Sequence, residues 1–126
     1  MLHECCLADL KFLKKLHKDD TFIFVDRSHN SVLAPSKALF DEYKEWEKRL
    51  LSSYDKLTAR EKAWNLVKYE MRYRHEMVCS SEAMSMIRDI AKRVLDGEEI
   101  WLICWEKGRP CHRFILTDII TRGDWR

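Results

Sequence analysis

Two short runs limit the architectures open to this chain more than any other feature. Thr21-Phe22-Ile23-Phe24-Val25-Asp26 and Glu99-Ile100-Trp101-Leu102-Ile103-Cys104 are rich in β-branched and aromatic residues and carry apolar side chains on both faces. A half-solvated strand alternates apolar with polar positions. A strand that is apolar on both sides belongs inside a sheet covered by helices, which is the parallel α/β arrangement. Asp26-Arg27 and Cys104 then stand at the carboxyl ends of two strands.

Helical periodicity accounts for most of the remaining chain. Cys6, Leu10, Leu13 and Leu16 recur at helical spacing with lysines between them, so residues 4 to 18 read as an amphipathic helix ended by Asp19-Asp20. Ser28 to Pro35 reads as a loop, after which Ser36 caps a helix carrying Leu39, Tyr43, Trp46 and Leu50 on one stripe. Thr58 and Glu61 have capping-box spacing and open a helix through Trp64, Val67 and Met71 to about residue 77. Ser80 or Ser81 opens another, lined by Met84, Ile87, Ala91 and Val94 and stopped by Gly97. A last helix runs from about Cys111 to Thr121. The fold class that follows is α/β: one helix-rich domain over residues 1–126, with a small, mostly parallel sheet and several packed helices. Two strands are few for such a sheet. Either a central helix is partly strand, or a partner chain completes the sheet and the protein is a homo-oligomer.

Composition excludes several classes. With 126 residues and 46% hydrophobic content the chain builds one core, and no Gly-, Ser- or Pro-rich stretch marks a linker. The formal charge is +2 with 35% charged residues, so no global field favours nucleic acid or an anionic membrane, and any anion site is local. The amino end has neither a basic nor a long apolar region, and no run reaches the roughly 18 apolar residues of a membrane span. A soluble, cytoplasmic protein is expected. Five cysteines without a secretory signal argue for thiols rather than a disulfide framework. Glutamine is absent and asparagine occurs only at 30 and 65, which, with many Lys, Arg and Glu, is the surface style of a thermophile.

The segment Cys104-Trp105-Glu106-Lys107-Gly108-Arg109-Pro110-Cys111-His112-Arg113 concentrates reactive side chains between a strand end and a helix start. In a parallel sheet these two ends face the crevice where ligands bind, and the first turn of the helix favours an anion. Several readings stay open. Cys104 and Cys111 are core residues; or one of them is a thiolate nucleophile whose pKa is lowered by the helix, Arg109, His112 or Arg113. They close a disulfide on oxidation; or Cys104, Cys111 and His112 bind zinc, although no four-ligand spacing exists, so no structural metal is expected. Finally, Arg27 and Arg113 hold a small anion without covalent chemistry. Glu106 and Asp26 serve as general acid/base or simply pair with arginine. No cofactor signature is present, and none is expected.

The stretch Arg60 to Arg74 interleaves cations with Trp64, Tyr69 and Tyr73, a pattern compatible with nucleic acid, but Glu61 and Glu70 interrupt it and a solvated helix with an aromatic core stripe explains it as well. His75 and Cys79, four apart, form a two-ligand pair at most.

The chain resembles the domain of unknown function 488 family. That family's signature is a hydrophobic strand, Cys-x-Glu-Lys, a short gap and Cys-His-Arg, found here as Cys104-Trp105-Glu106-Lys107 and Cys111-His112-Arg113. Val25-Asp26-Arg27, Leu33-Ala34-Pro35-Ser36, Tyr43-Lys44 and Tyr69-Glu70-Met71 match upstream parts, so the likeness covers about 21–121. The chain departs from the pattern at its amino end and after Arg122. The resemblance implies a compact α/β fold and a pocket built from Asp26, Arg27, Cys104, Glu106, Lys107, Cys111, His112 and Arg113; it implies no particular reaction. A weaker likeness to rhodanese-like sulfurtransferases and cysteine phosphatases rests on a cysteine at a strand end before a short basic loop. That loop holds one Gly and a Pro where a phosphate cradle needs several free N–H groups.

These observations lead to two expectations of different class. One is an enzyme that uses a thiol on a small anionic substrate, with Cys104, Glu106, Cys111 and His112 as catalytic candidates and Asp26, Arg27, Lys107 and Arg113 as binding residues. The other is a non-catalytic accessory module that binds an anion or nucleic acid.

Overall fold

Both runs that are apolar on two faces form strands, and a third strand comes from the amino end. The computed structural model describes residues 1–126. In chain order it contains β1 (Leu2–Cys6), α1 (Leu7–Leu16), β2 (Thr21–Phe24), α2 (Lys37–Leu50), α3 (Lys56–Leu66), α4 (Tyr69–Val78), α5 (Ser81–Leu95), β3 (Ile100–Cys104) and α6 (His112–Arg122). The result is a single α/β domain with an all-parallel sheet in the order β1-β3-β2. No helix is long and apolar enough to cross a membrane.

β3 lies between the other two strands, which explains why it is the most apolar. Ile100, Leu102 and Cys104 face the main core with Ile115, Leu116, Ile119 and Ile120 of α6 and with Ile87 and Ala91 of α5. The other face is held by aromatic pairs across the strands. His3, Trp101 and Phe22 are in register, and Trp101 stacks on His3 at 4.5 Å and on Phe22 at 6.0 Å between ring centroids. The Trp101 indole N–H donates to Asp20 Oδ2 at 2.9 Å, which satisfies its polar end. α1 packs on this side and contains no fully buried residue; Phe12 and Leu16 stay exposed.

The first helix is therefore shorter than its periodicity predicts. Residues 4 to 6 belong to β1, and the helix starts at Leu7. Glu4 disguises the strand, because a carboxylate interrupts its apolar run; it is accommodated by the buried Arg113, 109 residues away. β1 also resolves the shortage of strands without a partner chain.

The long central helix is likewise two helices. Asp55 rather than Thr58 caps α3, its Oδ1 accepting the Thr58 amide at 2.7 Å. The helix stops at Val67, and Lys68 turns the chain through left-handed space at φ 53° before α4 begins. That turn brings Tyr69 face to face with Trp64 at 3.9 Å and directs Tyr69, Tyr73 and Met77 into the core. Met71, expected on the apolar stripe, is exposed. α2 and α5 follow their sequence signals: Ser36 and Ser80 cap them by accepting the Leu39 and Ala83 amides, and the chain leaves α5 through Gly97 at φ 98°.

Candidate active site

Cys104 is the last residue of β3, and its side chain projects to the helical side of the sheet because it follows Ile100 and Leu102 at a spacing of two. The loop after it returns the chain so that Cys111 stands at the N-cap position of α6 and His112 occupies the first helical turn. Both turns meet above the end of β2. Cys104 Sγ and Cys111 Sγ each lie 3.9 Å from His112 Nδ1, and the three atoms are within 4.8 Å of one another. All three residues are buried.

The His112 ring is fixed by its other nitrogen. Nε2 lies 2.7 Å from the backbone carbonyl of Val25, which can only accept, so Nε2 carries a proton and in the neutral ring Nδ1 presents a lone pair to the sulfurs. Tyr73 packs edge-on against the ring at 5.5 Å.

The thiols share one ionisation. The Cys111 thiol beside it holds Cys104 well below an ordinary thiol, against burial, with help from His112 and the Glu106 amide. Cys111 is pushed up by the same contact and by burial. Two sulfurs this close in a dry site release the first proton readily and keep the second. Cys5, by contrast, is pushed up to about 11, chiefly by burial.

These side chains line a cavity of about 280 Å³. Asp26, Arg27 and Ser28 contribute from the end of β2, Phe40 and Tyr43 from α2, Tyr69 from α4, and Trp105, Glu106 and Pro110 from the loop. Asp26 is buried and accepts hydrogen bonds from Ser28 Oγ, His29 Nδ1 and Trp105 Nε1. Burial opposes its charge, but these donors outweigh that effect and keep its pKa below the ordinary 3.8. Its visible role is to tie the β2 loop to Trp105. Arg27 reaches the Pro35 carbonyl at 3.2 Å.

Glu106 belongs to a paired group on the cavity wall. Its Oε2 is 3.0 Å from Arg60 Nη2 and its Oε1 is 3.6 Å from Lys44 Nζ, while Glu47 lies beside both cations. Arg60 also donates to the Pro110 carbonyl. Of the cations in the 60–74 stretch, Arg60 is thus used inside the protein, Arg72 pairs with Glu42, and Arg74 pairs with Glu70 and Asp118.

Of the residues singled out in the sequence, Asp26, Arg27, Cys104, Glu106, Cys111 and His112 surround one cavity. Lys107 is exposed on the loop and does not line it. Arg113 is buried but turned away, with Nε donating to Glu4 Oε2 and Nη1 to the Glu106 carbonyl. The physical reason is helical geometry: consecutive helix residues point about 100° apart, so His112 and Arg113 cannot both face the cavity. Sequence reasoning did not place Phe40, Tyr43 and Tyr69 around the cavity together, nor Lys44 and Arg60 against Glu106. Their only signal is membership of helical stripes or of the loop, which does not tell which side chains meet.

The model of a family described as the active DUF488-N3 subclade matches residues 24–123, and so spans the end of β2, every wall of the cavity and α6. The chain belongs to the DUF488 family. β1 and α1 precede the matched region, so the strand that supplies Glu4 to Arg113 lies outside it. No curated protein and no solved structure matches the chain significantly.

Proposed function

We propose that this DUF488 protein is an enzyme that uses a cysteine thiolate on a small molecule held in the 280 Å³ cavity. One observation carries the reading: two thiols, one at the end of β3 and one at the start of α6, and an imidazole nitrogen with its lone pair free converge on the cavity wall. Cys104 is the nucleophile, Cys111 hydrogen-bonds its sulfur, and His112 holds the pair in position and accepts a proton. The description of the matched subclade as active supports this. Arg27 is the cation on the cavity lining and suits an anionic group on the substrate, while Phe40, Tyr43 and Tyr69 give the remainder an aromatic wall. A purely anion-binding module would use Arg113 at the cavity, but Glu4 already neutralises it.

Alkylation of each cysteine, followed by mass spectrometry from pH 5 to 9, tests the reading. Cys104 is expected to react with a midpoint below that of a free thiol, ahead of the exposed Cys79 despite its burial. A Cys104 that reacts no faster than Cys79 across this range removes the nucleophile.

A further inference from the structure

We infer that Cys104 Sγ, Cys111 Sγ and His112 Nδ1 are three ligands of a divalent cation of the zinc class, with the fourth coordination position open to the cavity. The inference rests on the trio being the reacting centre, as proposed above, and changes what a bound molecule meets there. In the metal-loaded protein it meets the cation, and the sulfurs act as ligands.

The donor set and its spacing fit the ion. In a tetrahedral site with Zn–S of about 2.3 Å and Zn–N of about 2.0 Å, sulfur and nitrogen are separated by roughly 3.6 Å. The two S–N separations here are both 3.9 Å, and the sulfurs lie within 4.8 Å of each other against about 3.8 Å in such a site, so shifts of up to about 1 Å close it. Two cysteines and one histidine with an open position form one of the three-ligand sets that zinc uses in reactive centres, whereas structural sites use four protein ligands. The lack of a fourth ligand, which argues against structural zinc in the sequence, is what an open site requires.

Three further features point the same way. A ligating histidine donates its second ring N–H to a carbonyl or carboxylate, which fixes the tautomer and the ring plane; here the Val25 carbonyl accepts that bond at 2.7 Å. Two buried thiolates are electrically tolerable only when a nearby cation compensates them, and a divalent ion with two thiolates and a neutral imidazole is neutral overall. Side chains supply that compensation only in part, because Arg113 beside Cys111 is engaged by Glu4, Arg60 is engaged by Glu106 and Glu47, and Arg27 donates to the Pro35 carbonyl. Neither cavity carboxylate is free to be the fourth ligand, since Asp26 holds Ser28, His29 and Trp105 and Glu106 holds Arg60 and Lys44. The fourth position is therefore left to water or to an atom of the molecule in the cavity.

The other thiol–imidazole contact makes a useful control. Cys79 Sγ is 3.5 Å from His75 Nε2, but that pair is exposed on α4 and has no third ligand.

The test uses the full chain, stripped with a chelator and titrated with Co²⁺ and then Zn²⁺. One cobalt per chain should give a thiolate-to-cobalt absorption band with the strong visible bands of a tetrahedral ion, and zinc should displace it. Zinc should also block alkylation of Cys104 and Cys111 and leave Cys79 unchanged. Cys104→Ser and Cys111→Ser should each weaken binding by more than the roughly 10–100-fold typical of an outer-shell change, while Cys79→Ser should have no effect. If the serine variants fail to fold, the protection of the unmodified protein decides. Absence of a thiolate–cobalt band, or a band lost in Cys79→Ser, overturns the inference. Rapid alkylation of Cys104 that zinc does not alter also overturns it but leaves the nucleophile reading standing. Strong zinc protection supports the metal site, and slow alkylation in the stripped protein then removes the bare nucleophile alone.

Discussion

His112 donates from Nε2 to the Val25 carbonyl across 2.7 Å, joining the first turn of α6 to the end of β2, 87 residues away in the chain. The bond completes what the β2–β3 ladder leaves unpaired at the strand end and aims the opposite ring nitrogen at the two thiols. One side chain thus couples the integrity of the sheet's end to the state of the reactive centre.

His112→Ala should consequently affect both. A buried carbonyl left without a donor costs about 1–3 kcal/mol, and urea unfolding should show a loss of that size. The alkylation midpoint of Cys104 should rise in the same variant, since an imidazole that favours its thiolate is gone. A variant that loses stability while Cys104 titrates unchanged would separate the ring from the thiol chemistry.

Arg113→Ala tests the contact between β1 and the family-like core. The Arg113 side chain is 3% exposed and that of Glu4 is 32% exposed. Breaking a buried pair by removing one partner costs about 3–5 kcal/mol, and the partial exposure of Glu4 puts the expectation near 3. In a double-mutant cycle with Glu4→Ala the two losses should fall well short of adding. Additive losses would mean that the two residues stabilise the fold separately.

Lys68→Gly should stabilise the protein by about 1 kcal/mol, because an L-residue at φ 53° carries a cost of about 1–2 kcal/mol that glycine avoids, less the glycine's larger unfolded-state entropy. The Lys68 side chain makes no ion pair that the change would remove. Thermal or urea unfolding checks the sign, and a destabilised variant would show that the turn between α3 and α4 is not strained.

The same residues explain what the sequence reveals and what it hides. β3 is legible because burial on both faces leaves a continuous apolar run; β2, expected inside the sheet, is an edge strand with half-buried residues, and is legible from its aromatic and β-branched run alone. β1 is not, since Cys6, Leu10, Leu13 and Leu16 suggest one helix and the charge of Glu4 is compensated only in three dimensions. The break at Lys68 is invisible because neither Gly nor Pro marks it; packing of Tyr69 on Trp64 overrides local preference. At the site, a strand end and a helix start are enough to bring Cys104, Cys111 and His112 together. The direction of Arg113 depends on a partner at the far end of the chain, and the cluster of Lys44, Glu47 and Arg60 around Glu106 depends on how α2 and α3 pack.

The Asp26–Trp105 contact gives the cavity a defined acid limit. Asp26 is buried, and hydrogen bonds from Ser28, His29 and Trp105 hold its pKa below 3.8 in the folded protein. A group with a depressed folded pKa stabilises the native state above its unfolded value, and that contribution is lost as pH falls through the folded value. The β2 loop and Trp105 should therefore stay in place at neutral pH and throughout the mildly acidic range, and loosen only below about pH 4, the ordinary carboxyl range. The Trp105 indole N–H resonance, assigned by its disappearance in Trp105→Phe, reports the contact directly. It should hold its shift down to that range and then move toward the position of a solvated indole. Asp26→Asn should show the altered shift already at neutral pH and lose the acid transition. A transition in the wild-type resonance between pH 5 and 7 would show that the Asp26 carboxyl is raised by burial rather than lowered by its donors, and would make it a proton donor to the cavity instead of an anchor for its wall.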